Sequence, residues 1–293
     1  MLTTRTDLAV EAHAIWRESA GKTGTLSGVR AETTHLQGFA VERVEILDGE
    51  GERALGKARG TYLTMDISGL WRREAEGFSR TVTALAALLR PMVPEEGPVL
   101  VAGLGNRAMT ADAIGPLTAD RLLVTRHLGR VLPMLRPVAA VAAGVLGTTG
   151  MEAAEWVRGA AERVQPRAVI LVDALCARET RRLCASLQLS DTGLTPGSGV
   201  GNHRMALDGH TLGVPVISLG VPTVVTASTI LRDALRLAGR EEEGPALPRG
   251  EELLVTSDSI DQKVSYLAKV LGWGISMALQ PKLELADLAA LVE

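Results

Sequence analysis

The stretch VLVAGLGNRAMTADAIGP, residues 99–116, decides the fold. Its first five residues, VLVAG, have no polar face, as expected of a strand covered on both sides in a parallel sheet. The chain then passes through Gly-Leu-Gly-Asn and resumes a helical pattern near Asp112. In an open α/β sheet, a loop at the carboxyl end of such a strand is where ligands and catalytic groups gather. The glycines therefore serve one of two ends: they cradle a nucleotide, or they present the carboxylate of Asp112.

The pattern repeats outward from this stretch. PVAAVAAG (137–144), AVILVD (168–173) and VPVISLG (214–220) are further apolar strands, and helical patterns cover 112–125, 151–164, 225–239 and 258–279. Upstream, GVRAETTH, GFAVERVEIL and GTYLTMDI within residues 28–66 alternate in polarity between glycines and read as antiparallel strands. Residues 72–91 place Phe78, Val82, Leu85, Leu88 and Leu89 on one helical face. Residues 1–20 are charged and helical or loosely ordered, and 240–252 form a polar loop. The expectation is a single α/β domain over 1–293, three-layered and doubly wound about a mostly parallel sheet, with a small N-terminal antiparallel β appendage at 28–66.

Hydrophobic residues make up 46% of the 293, which supports a sizeable core, and with aromatics at only 3% that core must be Val, Leu, Ala and Ile. A net charge of −3 argues against a general nucleic-acid or membrane-surface binder. Cys176 and Cys184 lie eight apart, no metal-ligand spacing, and read as packed, reduced thiols on a helix or its edge. No apolar leader and no 18-residue apolar run occurs, so a soluble intracellular protein is expected.

Two carboxylates fall at strand ends: Asp112 after 99–103, and Asp173 closing AVILVD. Partial desolvation by apolar neighbours tends to raise a carboxyl pKa. Two such acids across a crevice can share a proton, one activating water while the other donates. The competing role for each is to cap the helix that follows. GLGNRA satisfies G-x-G-x-x-G/A, but NRAMTAD delays the helix and the second strand ends in AAGVLG without the acid that a dinucleotide site requires. DTGLTPGSGVGNHR (191–204) is dense in glycine, which suits close approach to a peptide or simply a surface loop. His203 is the one histidine there; His13, His35, His127 and His210 look incidental. Neither a G-x-S-x-G elbow at a strand end nor an H-E-x-x-H helix is present, which leaves carboxylates as the chemistry. Gly103, Gly105 and Asn106 shape the Asp112 loop, and Asp191 hydrogen-bonds in the crevice or fixes the turn at Thr192-Gly193, the turn being favoured.

TRTDLAVEA (4–12), VAGLGNRAMTADAIGP (101–116), LLVTRHL (122–128), GVLGTTGMEAAEWVRG (144–159), VILVDALCAR (169–178), QLSDTGLTPGSGVGNHR (188–204) and TLGVPVISLGVPTVV (211–225) together resemble the bacterial spore germination protease family, and LLVTSDSID (253–261) resumes the match. The resemblance implies a phosphorylase/hydrolase-like fold and an atypical aspartic endopeptidase, working without metal or other cofactor, that degrades small acid-soluble spore proteins during germination. It places the catalytic pair on Asp112 and Asp173. It implies a self-processing zymogen cut between Asp7 and Leu8, with 1–7 as a short propeptide that mimics substrate, since the family's substrate sites set Glu before Phe or Ile. It further implies a homotetramer in the cytoplasm of the developing forespore and the spore core, with neither direct nucleic-acid contact nor a membrane. Gly199, Asn202 and His203 fall in the family's substrate loop, where GNHR replaces the usual GNKR, and Thr226 falls where VVTA replaces VVDA. The insertion before the last helix is short here. The runner-up is a nickel-dependent endopeptidase of the hydrogenase-maturation type, in which His203 would join the two carboxylates.

Overall fold

The structure is a computed structural model and describes residues 6–19, 26–72, 76–197, 205–240 and 253–292. In chain order the elements are α1 (Ala9–Ser19), β1 (Val29–Leu36), β2 (Phe39–Ile46), α2 (Gly49–Leu55), β3 (Gly60–Asp66), α3 (Gly77–Leu89), β4 (Val99–Leu104), α4 (Ile114–Ala119), β5 (Val138–Gly144), α5 (Leu146–Thr149) and α6 (Ala153–Val164). They continue as β6 (Ala168–Ala177), β7 (Ser186–Ser190), α7 (Gly209–Leu212), β8 (Val216–Thr226), α8 (Ala227–Leu237), β9 (Leu254–Val255), α9 (Ile260–Leu279) and α10 (Leu285–Val292).

One mixed sheet joins the strands in the order β1-β2-β3-β7-β8-β6-β4-β5, with β9 on the far end of β8. Strands β5, β4, β6 and β8 run parallel, and every other pairing is antiparallel. The apolar runs seen in the sequence are the parallel strands, and alternate residues feed opposite faces. Val99 and Val101 of β4 and Ile170 and Val172 of β6 pack in one core, while Leu100, Ala102, Val169 and Leu171 pack in another. Helices α3 and α9 supply the first core, and α6 supplies Ala153, Ala154 and Val157 to the second, so both faces of the sheet are covered. A third cluster gathers Leu8, Ala9 and Val10 against Val44, Ile46 and Tyr62.

Several sequence expectations shift. The strands within 28–66 are continuous with the main sheet, because β7 runs antiparallel to β8 and so presents an edge that β3 pairs with from Tyr62↔Ser190 to Asp66↔Ser186. The helix expected at 112–125 is a 3-10 turn, Thr110–Asp112, followed by the short α4, which gives out at Ala119. Helix α8 starts at Ala227 because β8 runs on to Thr226, whose hydroxyl caps the helix by accepting from the Thr229 amide. Cys176 lies on β6 and not on a helix; both cysteines are buried thiols outside any disulfide. Among the described residues, no helix is long and apolar enough to cross a membrane.

Candidate active site

The strand order reverses at β4. Its crossover leads to β5 on one side, and the return crossover through α6 brings β6 in on the other. This is a topological switch point, where a crevice opens beyond the carboxyl ends of the two strands. Asp112 comes from the loop after β4 and Asp173 from β6, so the crevice lies between them. Asp173 is not the last residue of its strand. Pairing of β6 with β4 stops at Gly103↔Val172, whereas pairing with β8 continues to Ala177↔Val225. Asp173 is thus the first β6 residue past the end of its pairing with β4, on a strand still held by its other neighbour. Neither acid caps a helix: no helix follows Asp173, and the cap position of α4 belongs to Ala113.

The loop that carries Asp112 folds back on its own carboxylate. The Asn106 amide donates to Asp112 Oδ2 at 2.6 Å, and Asn106 Oδ1 accepts from the Ala108 amide at 3.0 Å. Gly105 has φ +109°, and a Cβ there would strike the Asp112 carbonyl oxygen and crowd its carboxyl group. A Cβ on Gly103 would strike the Gly115 carbonyl at the start of α4. From outside, Arg107 grips both carboxylate oxygens of Asp120, at 2.6 and 2.9 Å. From β8, the buried Thr223 hydroxyl donates to the Ala111 carbonyl at 2.6 Å. The loop is therefore tied to itself, to α4 and to the sheet.

A cavity of about 580 Å³ stands over this switch point, and Asp112, Asp173, Gly105 and Asn106 all line it. Asp173 is only 7% exposed, and its Oδ1 accepts from the Ala174 amide at 2.9 Å. Asp208 also lines the cavity, and its carboxyl lies below the usual aspartate range, chiefly because the Thr211 amide donates to it.

Asp7 reaches the same cavity. Its amide donates to the Cys176 carbonyl at 2.9 Å, and the Cys176 amide donates to Asp7 Oδ2 at 2.8 Å. The Gln188 side chain brackets Leu8: Nε2 donates to the Asp7 carbonyl at 3.0 Å and Oε1 accepts from the Ala9 amide at 2.8 Å. Lys57 Nζ donates to the Thr6 carbonyl at 2.8 Å. Beyond the bond, the Leu8 side chain is fully buried, and Glu11 accepts from the amides of Arg178 and Glu179 and from the Thr6 hydroxyl. Burial pushes the Glu11 carboxyl above the usual glutamate value.

The remaining sequence candidates fall elsewhere. Asp191 does not line the cavity; its Oδ1 accepts from the Thr61 amide at 2.7 Å and fastens β3 to the end of β7. Gly199, Asn202 and His203 lie outside the described residues. His127 and His210 are exposed. Sequence reasoning passed over Lys57, Gln188, Asp208 and Thr223. For Gln188 a signal existed, a long polar residue in a strand otherwise fit for burial; for Lys57 none did.

Two acids at a switch point, in a cleft that already grips extended chain by its backbone, fit the class of peptidases. The comparisons with known proteins narrow that class. The model of the germination protease family matches residues 9–241, and the chain belongs to this family. A germination protease of Clostridium perfringens is 39% identical over 98% of both chains, and one of Geobacillus sp. is 43% identical over 80% of this chain and 67% of its own. That of Priestia megaterium is 37% identical over 91% of this chain and 80% of its own. Among solved structures, a [NiFe] hydrogenase maturation protease HycI from Thermococcus kodakarensis is similar over 64% of this chain and 98% of its own, at 17% identity and a TM-score of 0.37. The sequence relatives do not favour the nickel-dependent alternative.

Proposed function

We propose that this chain is an atypical aspartic endopeptidase that degrades small acid-soluble spore proteins during germination, using Asp112 and Asp173 as an acid–base pair. One observation carries the reading. Both carboxylates line a single cavity at the β4–β6 switch point, and the carbonyl of the peptide bond between Asp7 and Leu8 is held at that cavity by Gln188.

In the reaction, the ionised member of the pair takes a proton from water, and the water oxygen bonds to the carbonyl carbon. The protonated member donates to the amide nitrogen as the carbon–nitrogen bond breaks. The products are a new carboxyl group and a new amine, and the proton taken from water restores the pair. General acid–base catalysis contributes roughly 10²–10⁴ in rate. The residues after Asp7 support a self-processing zymogen. Leu8 to Glu11 are anchored in the fold, so cutting at Asp7–Leu8 would release residues 1–7 alone. The family resemblance supports a single peptidase domain acting as a homotetramer in the forespore and spore core.

The test incubates wild type, Asp112→Asn and Asp173→Asn with a purified small acid-soluble spore protein, with and without a chelator. Each substitution should lower turnover by at least about 10²-fold, and the chelator should change nothing. Wild-type rates in both variants would overturn the dyad; loss with chelator would favour the nickel-dependent alternative.

A further inference from the structure

We propose that Lys57, the Cys176 amide and the Gln188 carboxamide form the subsite that selects an acidic residue on the amino side of the cleaved bond, with Gln188 aligning that bond. The inference rests on the proteolytic reading above and adds to it the residues that choose where the chain is cut.

The geometry supports three separate functions. The Asp7 side chain is read by charge and by a hydrogen bond: Oδ2 accepts from the Cys176 amide, and the Lys57 ammonium, which donates to the preceding carbonyl, is close enough for Asp7 to be its largest favourable charge partner. The backbone of Asp7 is paired with β6 through the Cys176 carbonyl, so the bound chain runs as an added partner to that strand. Gln188 brackets Leu8: it donates to the carbonyl of the Asp7–Leu8 bond and accepts from the amide of the bond after it. Only one orientation of its amide satisfies both contacts, because the Asp7 carbonyl accepts and the Ala9 amide donates. An amide N–H on the carbonyl that would be attacked polarises it and holds it still, whatever side chain follows.

Lys57 is half-buried, and desolvation pulls its pKa below the usual lysine value while Asp7 and Glu11 pull it back. A lysine in that setting stays charged most readily with an acid beside it, so an acidic residue in the subsite and the ammonium stabilise one another. An amide side chain of the same shape would keep a hydrogen bond with Cys176 but not the charge. Release of residues 1–7 vacates the Lys57 ammonium, the Cys176 amide and Gln188 Nε2 together for the corresponding residue of a substrate, while Gln188 Oε1 stays on the Ala9 amide.

The experiment uses the full, self-processed chain and matched peptides that differ only in the residue before the cleaved bond, Asp or Glu against Asn or Gln. A hydrogen bond to a charged group contributes about 1.5–3 kcal/mol, so wild type should favour the acid by roughly 10- to 100-fold in kcat/KM. Lys57→Met should reduce that ratio toward unity, and Lys57→Arg should restore it. Gln188→Glu, which loses the N–H donor, should slow acid and amide peptides alike, through kcat more than KM. A Lys57→Met enzyme that folds, shown by an unchanged circular dichroism spectrum, and keeps the wild-type ratio would overturn the proposal. So would a wild type that cleaves acid and amide peptides equally, while leaving proteolysis itself standing. If Lys57→Met does not fold, Lys57→Gln read against Lys57→Arg makes the same comparison. Should Asp112→Asn and Asp173→Asn both cleave normally, the dyad falls while the peptide ratios still decide the subsite.

Discussion

Gly105→Ala separates the placement of Asp112 from its chemistry. The substitution removes neither acid and adds one methyl group to the loop that carries Asp112. Gly105 has φ +109°, and holding alanine in such a region costs about 1–3 kcal/mol. The new Cβ would also strike the Asp112 carbonyl oxygen and lie 2.9 Å from its Oδ1. The first obstacle is backbone, so no flexible side-chain end can yield, and relief requires Asp112 to move away. That movement breaks the 2.6 Å bond from the Asn106 amide to Asp112 Oδ2, a hydrogen bond worth about 0.5–3 kcal/mol according to the charge on the carboxyl. The two losses amount to a few kcal/mol, which for a chain of this size lowers Tm by roughly 5–10 °C. A carboxylate misplaced by about 1 Å costs on the order of 10²-fold in rate. The contacts that bind the peptide at Cys176 and Gln188 lie on other strands, so KM should change little. The assay pairs thermal unfolding with peptide turnover at saturating substrate. A folded Gly105→Ala enzyme with kcat within about threefold of wild type would refute the argument that this loop exists to hold the acid.

Two further outcomes follow from burial and capping. Asp208 is held ionised by the Thr211 amide, so its contribution to stability is present at neutral pH and is lost as pH falls through the aspartate range. Asp208→Ala should therefore cost about 0.5–2 kcal/mol at pH 7, with the gap to wild type closing in acid, measured by denaturant titration across pH. Glu11 has the opposite sign. Burial raises its pKa, so the folded state favours the protonated form, and that stabilisation fades as pH rises through the raised value. Glu11→Gln should lose about 1–3 kcal/mol at low pH, because its NH₂ faces a backbone donor. Its deficit should shrink toward neutral pH, and a deficit that grows instead would show the carboxylate to be the favoured form.

The sequence alone determined the parallel half of the sheet. Fully buried strands leave an unmistakable mark, since VLVAG and AVILV can face water on neither side, and the glycine loop between strand and helix is local chemistry. Asp112 was legible for the same reason, because a loop of nine residues determines its own neighbourhood. The strands at 28–66 were legible as strands, but not their place in the sheet. Alternation sets which face of a strand is buried, and only the free antiparallel edge of β7, brought there by distant chain, made them part of one sheet. Tertiary structure also decided the extent of β6: nothing in AVILVDALCA says that pairing with β4 stops at Val172 while pairing with β8 continues, and that difference is what brings Asp173 to the crevice. The peptide clamp was hidden most completely. Asp7, Lys57, Cys176 and Gln188 are separated by up to 181 residues, and hydrogen bonds at that separation depend on the folded register of β6 and β7, which no local pattern encodes.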